Sequence, residues 1–208
     1  MTQSPILPAA RPARRPRSGL RAAVALVAAL SAARAANSQP TLVAESEDER
    51  TAAIKAAFVL NFARYATWPA DRFARPDSPI VARVLGDPLV AEALTQLAAR
   101  AGEVSGRHLV VATSANGLAD GESPHLVYIG HYTPAEDVPA LVDELAGEGV
   151  LTVGDVDDFA RLGGMLGLVL EGNRILFDAN VAALSESGVG ISARVLKLAR
   201  YIERERGP

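Results

Sequence analysis

No cysteine occurs in the 208 residues of this chain. That excludes disulfides, a cysteine nucleophile, thiolate-bound metal and a redox CxxC pair, and it leaves stability to the packed core. It also excludes a lipoprotein, whose signal is cut ahead of a cysteine. Histidine is scarce: His108, His125 and His131 are the full set, and they lack metal-ligand spacing. Aromatic residues make up 5% of the chain, and Trp68 is the one tryptophan. No G-x-S-x-G, H-E-x-x-H or G-x-x-x-x-G-K-[ST] motif is present, and no G-x-G-x-x-G follows a strand pattern. The sequence therefore offers no catalytic residue set, and neither a metal nor a cofactor is expected.

Acids are absent from the first 35 residues, which hold six arginines (Arg11, Arg14, Arg15, Arg17, Arg21 and Arg34). The basic stretch Arg11 to Arg21, the apolar run Leu20 to Ala33 and the small-x-small triplet Ala33-Arg34-Ala35 have the layout of a secretory signal. The run is shorter than the ~20 residues a spanning helix needs, and no later window is long and apolar enough. Arg14-Arg15 also fits a twin-arginine signal, although paired arginines are common in such leaders. Cleavage near residue 35 turns the overall charge of -3 into -9 for the remaining 173 residues. The expected organisation is a signal peptide at 1–35, a linker at 36–46 and one α/β domain at 47–208. The expected compartment is the periplasm.

With 49% hydrophobic residues, the domain is able to bury a substantial core. Ser46-x-x-Glu49 is a capping box opening a helix whose apolar stripe is read as Ile54, Phe58, Phe62 and Tyr65, ended by Pro69. Ile80 to Leu85 is a strand pattern. Asp87-Pro88 caps the next helix, and Gly102 closes it. His108 to Ala112 and His125 to Ile129 are further short strands. A helix follows, with Asp137 preferred as its cap and Pro139 in its first turn. Val150 to Val153 is a strand, after which Asp155 is expected to cap a short helix stopping at Gly163-Gly164. Met165 to Leu170 and Arg174 to Phe177 flank Gly172-Asn173, a hairpin signal. Helices from Asn180 and Ser192 complete the chain. Alternating strands and helices predict a three-layer α/β/α domain with a mixed, mostly parallel central sheet and a late antiparallel hairpin.

Few residues stand out chemically. Asp155, Asp157 and Asp158 follow a strand, the position where α/β proteins place functional loops. A metal there would need ligands from elsewhere in the chain, whereas a helix N-terminus needs nothing more. Asp155 is kept as a weak ligand-binding candidate. Gly163 and Gly164 either admit a close backbone approach or end a helix. Glu171 and Arg174 flank the hairpin turn and are placed to pair across it. Trp68 is either a core plug or a recognition anchor beside Arg64 and Tyr65. In the last helix, Ile191, Val195, Leu198 and Ile202 form a core stripe and Arg194, Lys197, Arg200 and Arg204 a basic one. An exported acidic protein is not expected to take a nucleic-acid partner.

Taken in order, Ala56 to Pro69 (AAFVLNFARYATWP), Val84-Leu85-Gly86-Asp87-Pro88, Leu151-Thr152-Val153-Gly154-Asp155, Phe159-Ala160, Gly163-Gly164-Met165, Arg174 to Asn180 (RILFDAN) and Ile191 to Ala199 (ISARVLKLA) resemble the YfiR/HmsC-type family of periplasmic proteins. The resemblance spans residues 50–200. It implies a non-enzymatic regulator that binds the periplasmic domain of an inner-membrane diguanylate cyclase of the YfiN type, lowering cyclic di-GMP and biofilm formation, and it is associated with homodimers. Cysteines whose disulfide state tunes such members are missing here, so thiol redox control does not carry over. Combined with the aromatic and glycine placement, the resemblance nominates Arg64, Tyr65, Trp68, Gly163, Gly164 and Met165 as partner or dimer contacts. Two other classes stay open: a periplasmic small-molecule binding protein using the strand end at Asp155, and an enzyme using Asp155, Asp157 or Asp158 with a metal.

Overall fold

The computed structural model describes residues 46–113 and 123–204. The expected signal peptide and all of the expected linker except Ser46 lie outside the described residues. In chain order the elements are α1 (Glu47–Tyr65), β1 (Ala66–Thr67), β2 (Ile80–Leu85), α2 (Pro88–Ala101), β3 (Glu103–Val104), β4 (Arg107–Thr113), β5 (Leu126–Ile129), α3 (Val138–Glu144), β6 (Leu151–Gly154), β7 (Leu166–Glu171), β8 (Arg174–Asn180), α4 (Val181–Ser187), β9 (Gly190–Ile191), α5 (Ala193–Leu196) and β10 (Tyr201–Glu203).

Eight strands form one sheet in the order β10-β8-β7-β6-β5-β2-β4-β3. β4, β2, β5, β6 and β7 run parallel. The hairpin partner β8 is antiparallel to β7, β10 lies parallel to β8, and β3 is antiparallel to β4. A βαβ unit carries the chain from β2 through α2 to β4. The next strand, β5, then lies on the other side of β2, so the order reverses between β2 and β5. In open α/β sheets such a reversal leaves a crevice at the carboxyl ends of the strands.

Both faces of the sheet are covered, which explains the near-continuous apolar strands. All four residues of β5 are fully buried. Leu126 and Tyr128 belong to the larger core with α1 and α2, while Val127 and Ile129 belong to a second core with α3. The three-layer α/β reading holds, with α1 and α2 on one face and α3 on the other.

The capping box at the start of α1 is present: Ser46 N donates to Glu49 Oε2 at 2.6 Å and Glu49 N to Ser46 Oγ at 3.1 Å. The buried stripe of the helix differs from the expected one. Ala52, Ala56, Val59 and Ala63 face inward with Leu60 and Phe62, whereas Ile54 and Tyr65 are about half exposed, at 49% and 48%. Alanines let α1 lie close to its neighbours, and the aromatic weight falls on Phe62, whose ring meets Phe177 edge-on at 5.1 Å. The helix stops at Tyr65, ahead of Pro69, because Ala66 and Thr67 pair with Ile191 and Gly190.

Three further expectations are corrected. Residues 155–164 form turns and no helix, with Asp158 at φ +56° and Gly163 at φ +98°. The ring of Phe159, 1% exposed, fills this region. A Cβ on Gly154 or Gly164 would overlap that ring, so these glycines make room for a side chain of their own fold. Asp137 precedes α3 by position but makes no side-chain cap bond, because a short 3-10 turn (Ala135–Asp137) leads into the helix. The long C-terminal helix is replaced by the four-residue α5 and by β10. Arg200 N donates to Phe177 O at 2.8 Å, which draws the chain out alongside β8. Leu198, placed in the core stripe by helical spacing, is 75% exposed.

Candidate functional site

Three adjacent parallel strands end beside the reversal point, and each is followed by a residue with a metal-ligating or acid–base side chain. Asp87 follows β2, His131 follows β5 and Asp155 follows β6. Asp87 is fixed by its capping role, with Oδ1 accepting from Val90 N at 3.1 Å. Gly130 lets the next loop approach it, since a Cβ there would fall 2.6 Å from Asp87 Cβ, and Gly130 N holds Leu85 O at 2.8 Å. The neighbouring turn is tied down by Asp155 N donating to Ile129 O at 3.2 Å.

The side chains converge as a result. His131 Nδ1 lies 3.2 Å from Asp155 Oδ2 and 3.5 Å from Asp87 Oδ2. From α1, Lys55 reaches in to pair closely with Asp155 Oδ2 and stands 3.8 Å from Asp87 Oδ2. The carboxylates are almost wholly buried, at 3% and 7% exposed, and Lys55 is at 13%. Two buried carboxylates against one ammonium leave these three groups with a formal charge of -1. Charges at this depth are tolerated only when paired or coordinated.

Tyr128, on β5 beneath the cluster, is fully buried. Burial first, then the charge and acceptor oxygens of Asp155 and the charge of Asp87, push its ionisation well above the usual tyrosine range, so it remains a phenol. Its hydroxyl faces the Asp155 carboxylate, yet neither it nor Asp155 Oδ1 reaches a hydrogen bond of ordinary length among the described residues.

The cluster opens into a cleft of about 570 Å³. Thr51 and Lys55, one turn apart on α1, line one side; the turn from Asp155 to Ala160 and the β7–β8 hairpin line the other. At its far end the Arg200 guanidinium grips the Asp178 carboxylate with both arms, at 2.9 and 2.6 Å, and also contacts Glu171. The hydrogen bonds to Asp178 and Glu171 hold its proton more tightly than usual. Glu171 is therefore committed to Arg200, although Arg174 faces it across the turn.

The family profile described as YfiR/HmsC-like matches residues 52–200, which takes in almost the whole described fold. The chain belongs to the YfiR/HmsC-like family. That family comprises periplasmic, non-enzymatic regulators in cyclic di-GMP signalling. No curated protein matches the chain. Among solved structures, a conserved domain protein from Vibrio cholerae O1 biovar El Tor is similar at 15% identity and a TM-score of 0.48, with 76% of this chain covering 60% of that one. Among the described residues, no helix of this YfiR/HmsC-like protein is long and apolar enough to cross a membrane.

The residues nominated from the sequence fall in separate places in this family member. Arg64 and Tyr65 are exposed at the end of α1. Trp68 is half-buried at the opposite end of the sheet from the cleft, where its Nε1 donates to His125 O at 2.8 Å. Gly163 is partly exposed, while Gly164 and Met165 are buried, with Met165 N donating to Thr152 Oγ1 at 3.0 Å. Asp155 is the nominated residue that joins the cluster, as an ion-pair partner and without the helix it was expected to cap. Asp157 and Asp158 stay exposed, Asp158 pairing with Arg161 at 3.2 Å.

From sequence, Asp87 reads only as a cap and His131 as a histidine without metal-ligand spacing, and Lys55 and Tyr128 go unremarked. A usable signal existed. Asp87, His131 and Asp155 each stand within two residues of the end of a predicted strand, and those strands are neighbours once the order is known.

Proposed function

We propose that this family member represses an inner-membrane diguanylate cyclase of the YfiN type by binding its periplasmic domain, and so lowers cyclic di-GMP and biofilm formation. The observation behind this reading is the family match over residues 52–200. Export by a signal peptide cut near residue 35 belongs to the same proposal. Arg64 and Tyr65 are the contact residues most open to a partner, and the exposed groove on α1 formed by Ala53, Ile54, Ala57, Phe58 and Asn61 suits a second copy. Trp68 and the partly exposed Gly163 belong to the same proposal as further contact points, with Gly164 and Met165 buried behind that turn. Deleting the gene should raise cyclic di-GMP, and Arg64→Ala/Tyr65→Ala should weaken co-purification with the cyclase's periplasmic domain. Unchanged cyclic di-GMP in the deletion strain would sink the proposal.

A second reading, a small-molecule binding protein, draws on the cleft beside Asp155 at the carboxyl ends of the strands. Its check is a thermal-shift screen with periplasmic metabolites. A ligand that raises the melting temperature of the native chain but not of Asp155→Asn supports it.

A further inference from the structure

We infer that Asp87, His131 and Asp155 form a binding site for a divalent transition-metal ion, in which Lys55 acts as the built-in competitor. This goes beyond the regulatory reading and does not depend on it. The geometry comes first. One oxygen from each carboxylate and one imidazole nitrogen lie within 4.8 Å of one another, so a single ion is within reach of all three after small rotamer adjustments. The three come from loops held together by backbone hydrogen bonds and by the close approach at Gly130. The ligands missing from the Asp155 turn are thus supplied by the ends of the two neighbouring strands.

A structural ion pair would explain Lys55 and Asp155, but it leaves two facts over. The Tyr128 hydroxyl, wholly buried and facing the Asp155 carboxylate, reaches no hydrogen bond of ordinary length among the described residues, and neither does Asp155 Oδ1. Buried polar atoms of this kind are seldom left alone. An ion held on Asp155 would engage the free oxygen directly or through a coordinated water, and that water would also satisfy the phenol. Charge points the same way. Lys55 and the two carboxylates by themselves sum to one negative charge; a divalent cation in place of the ammonium balances both carboxylates and frees it into the adjoining cleft, which Lys55 already lines. Two carboxylate oxygens with one imidazole nitrogen suit zinc or manganese better than magnesium or calcium, which take oxygen-only shells.

The test uses untagged mature protein stripped with chelator, titrated calorimetrically with Zn²⁺ and, separately, with Mg²⁺. One Zn²⁺ per chain is expected, weakened by about tenfold or more in His131→Ala, since even the supporting partners of metal ligands contribute that much. Lys55→Met should bind Zn²⁺ more tightly than wild type, and its melting temperature should rise further on Zn²⁺ addition. His131→Ala keeps the test valid if Lys55→Met does not fold, because that imidazole is 43% exposed and bears little of the packing. Absence of stoichiometric Zn²⁺ from wild type would overturn the inference. So would Zn²⁺ binding indifferent to His131→Ala, which would place the ion elsewhere, or an equal response to Mg²⁺.

Discussion

The two ends of the parallel strands treat a histidine in opposite ways. At the amino end, His125 precedes β5 and is 6% exposed. Its Nδ1 accepts from Val81 N at 3.1 Å and its Nε2 donates to Arg72 O at 3.1 Å, so the ring is held neutral in one tautomer. It stacks on Phe73 at 4.4 Å, and Trp68 stands edge-on to both rings. The Arg107 guanidinium caps Phe73 from 3.7 Å. At the carboxyl end, His131 is half exposed between two buried carboxylates, beside a phenol and a carboxylate oxygen that reach no hydrogen bond of ordinary length among the described residues. The first arrangement spends every ring nitrogen on backbone and closes the sheet. The second holds uncommitted polar atoms next to a cleft, as a binding site requires.

The contrast breaks most visibly at Lys55. In Lys55→Met, two nearly buried carboxylates lose their counter-charge, and unpairing a buried ion costs about 3–5 kcal/mol. Chemical denaturation in metal-free buffer should show that loss, falling mostly on the midpoint and little on the slope. A loss under about 1 kcal/mol would mean that water already screens the cluster and that the two ends differ less than their geometry indicates.

Next in size is Trp68→Ala, which removes half-buried ring surface and the donor to His125 O. A loss of about 3 kcal/mol is expected, near the lower end for large aromatic truncations. Zn²⁺ binding at the other end of the strands should be unchanged. A lost metal response with the fold intact would show that the two ends are coupled.

His125 separates the ends by pH. Burial, with the positive charges of Arg72 and Arg107 adding to it, holds its pKa below the ordinary 6.5. The unfolded chain therefore takes up the proton first. Stability from this residue is complete above about pH 6.5 and drains away as the pH falls from there through the folded pKa. His125→Leu should cost about 2 kcal/mol at pH 8, chiefly from the unpaired Val81 N–H and Arg72 carbonyl. It should also flatten the loss between pH 8 and pH 5. Denaturation midpoints at the two pH values decide this; an equal acid loss in the variant would assign it to other groups.

How much of this was legible depends on distance along the chain. The Ser46–Glu49 box, Asp87-Pro88 before α2, Gly102 after it, and Gly172-Asn173 between β7 and β8 are local chemistry, and each is found in place. The C-terminal stretch has helical spacing over Ile191 to Ile202, yet a sheet edge and the Arg200 clamp on Asp178 outweigh that local pattern. The stripe on α1 shifted because alanines, silent in a hydrophobic pattern, were the residues packed closest. The cluster was least legible. Lys55, Asp87, His131 and Asp155 meet only through the strand order β2-β5-β6, and a single sequence read along its length does not contain that order.

The smallest effect belongs to His131, and it bears hardest on the comparison. His131 lies against the Tyr132 ring at 4.0 Å, and its other visible partners are the two carboxylate oxygens. Removing a half-exposed imidazole admits water to Asp87 and Asp155 without stranding a buried donor, so His131→Ala should stay within about 0.5 kcal/mol of wild type in metal-free buffer. The same change at the other end of the strands would strand two backbone groups. Chemical denaturation of His131→Ala and His125→Ala side by side measures the difference. If the two lose the same stability, His131 is a structural residue like His125, and the carboxyl ends of the strands are as closed as the amino ends.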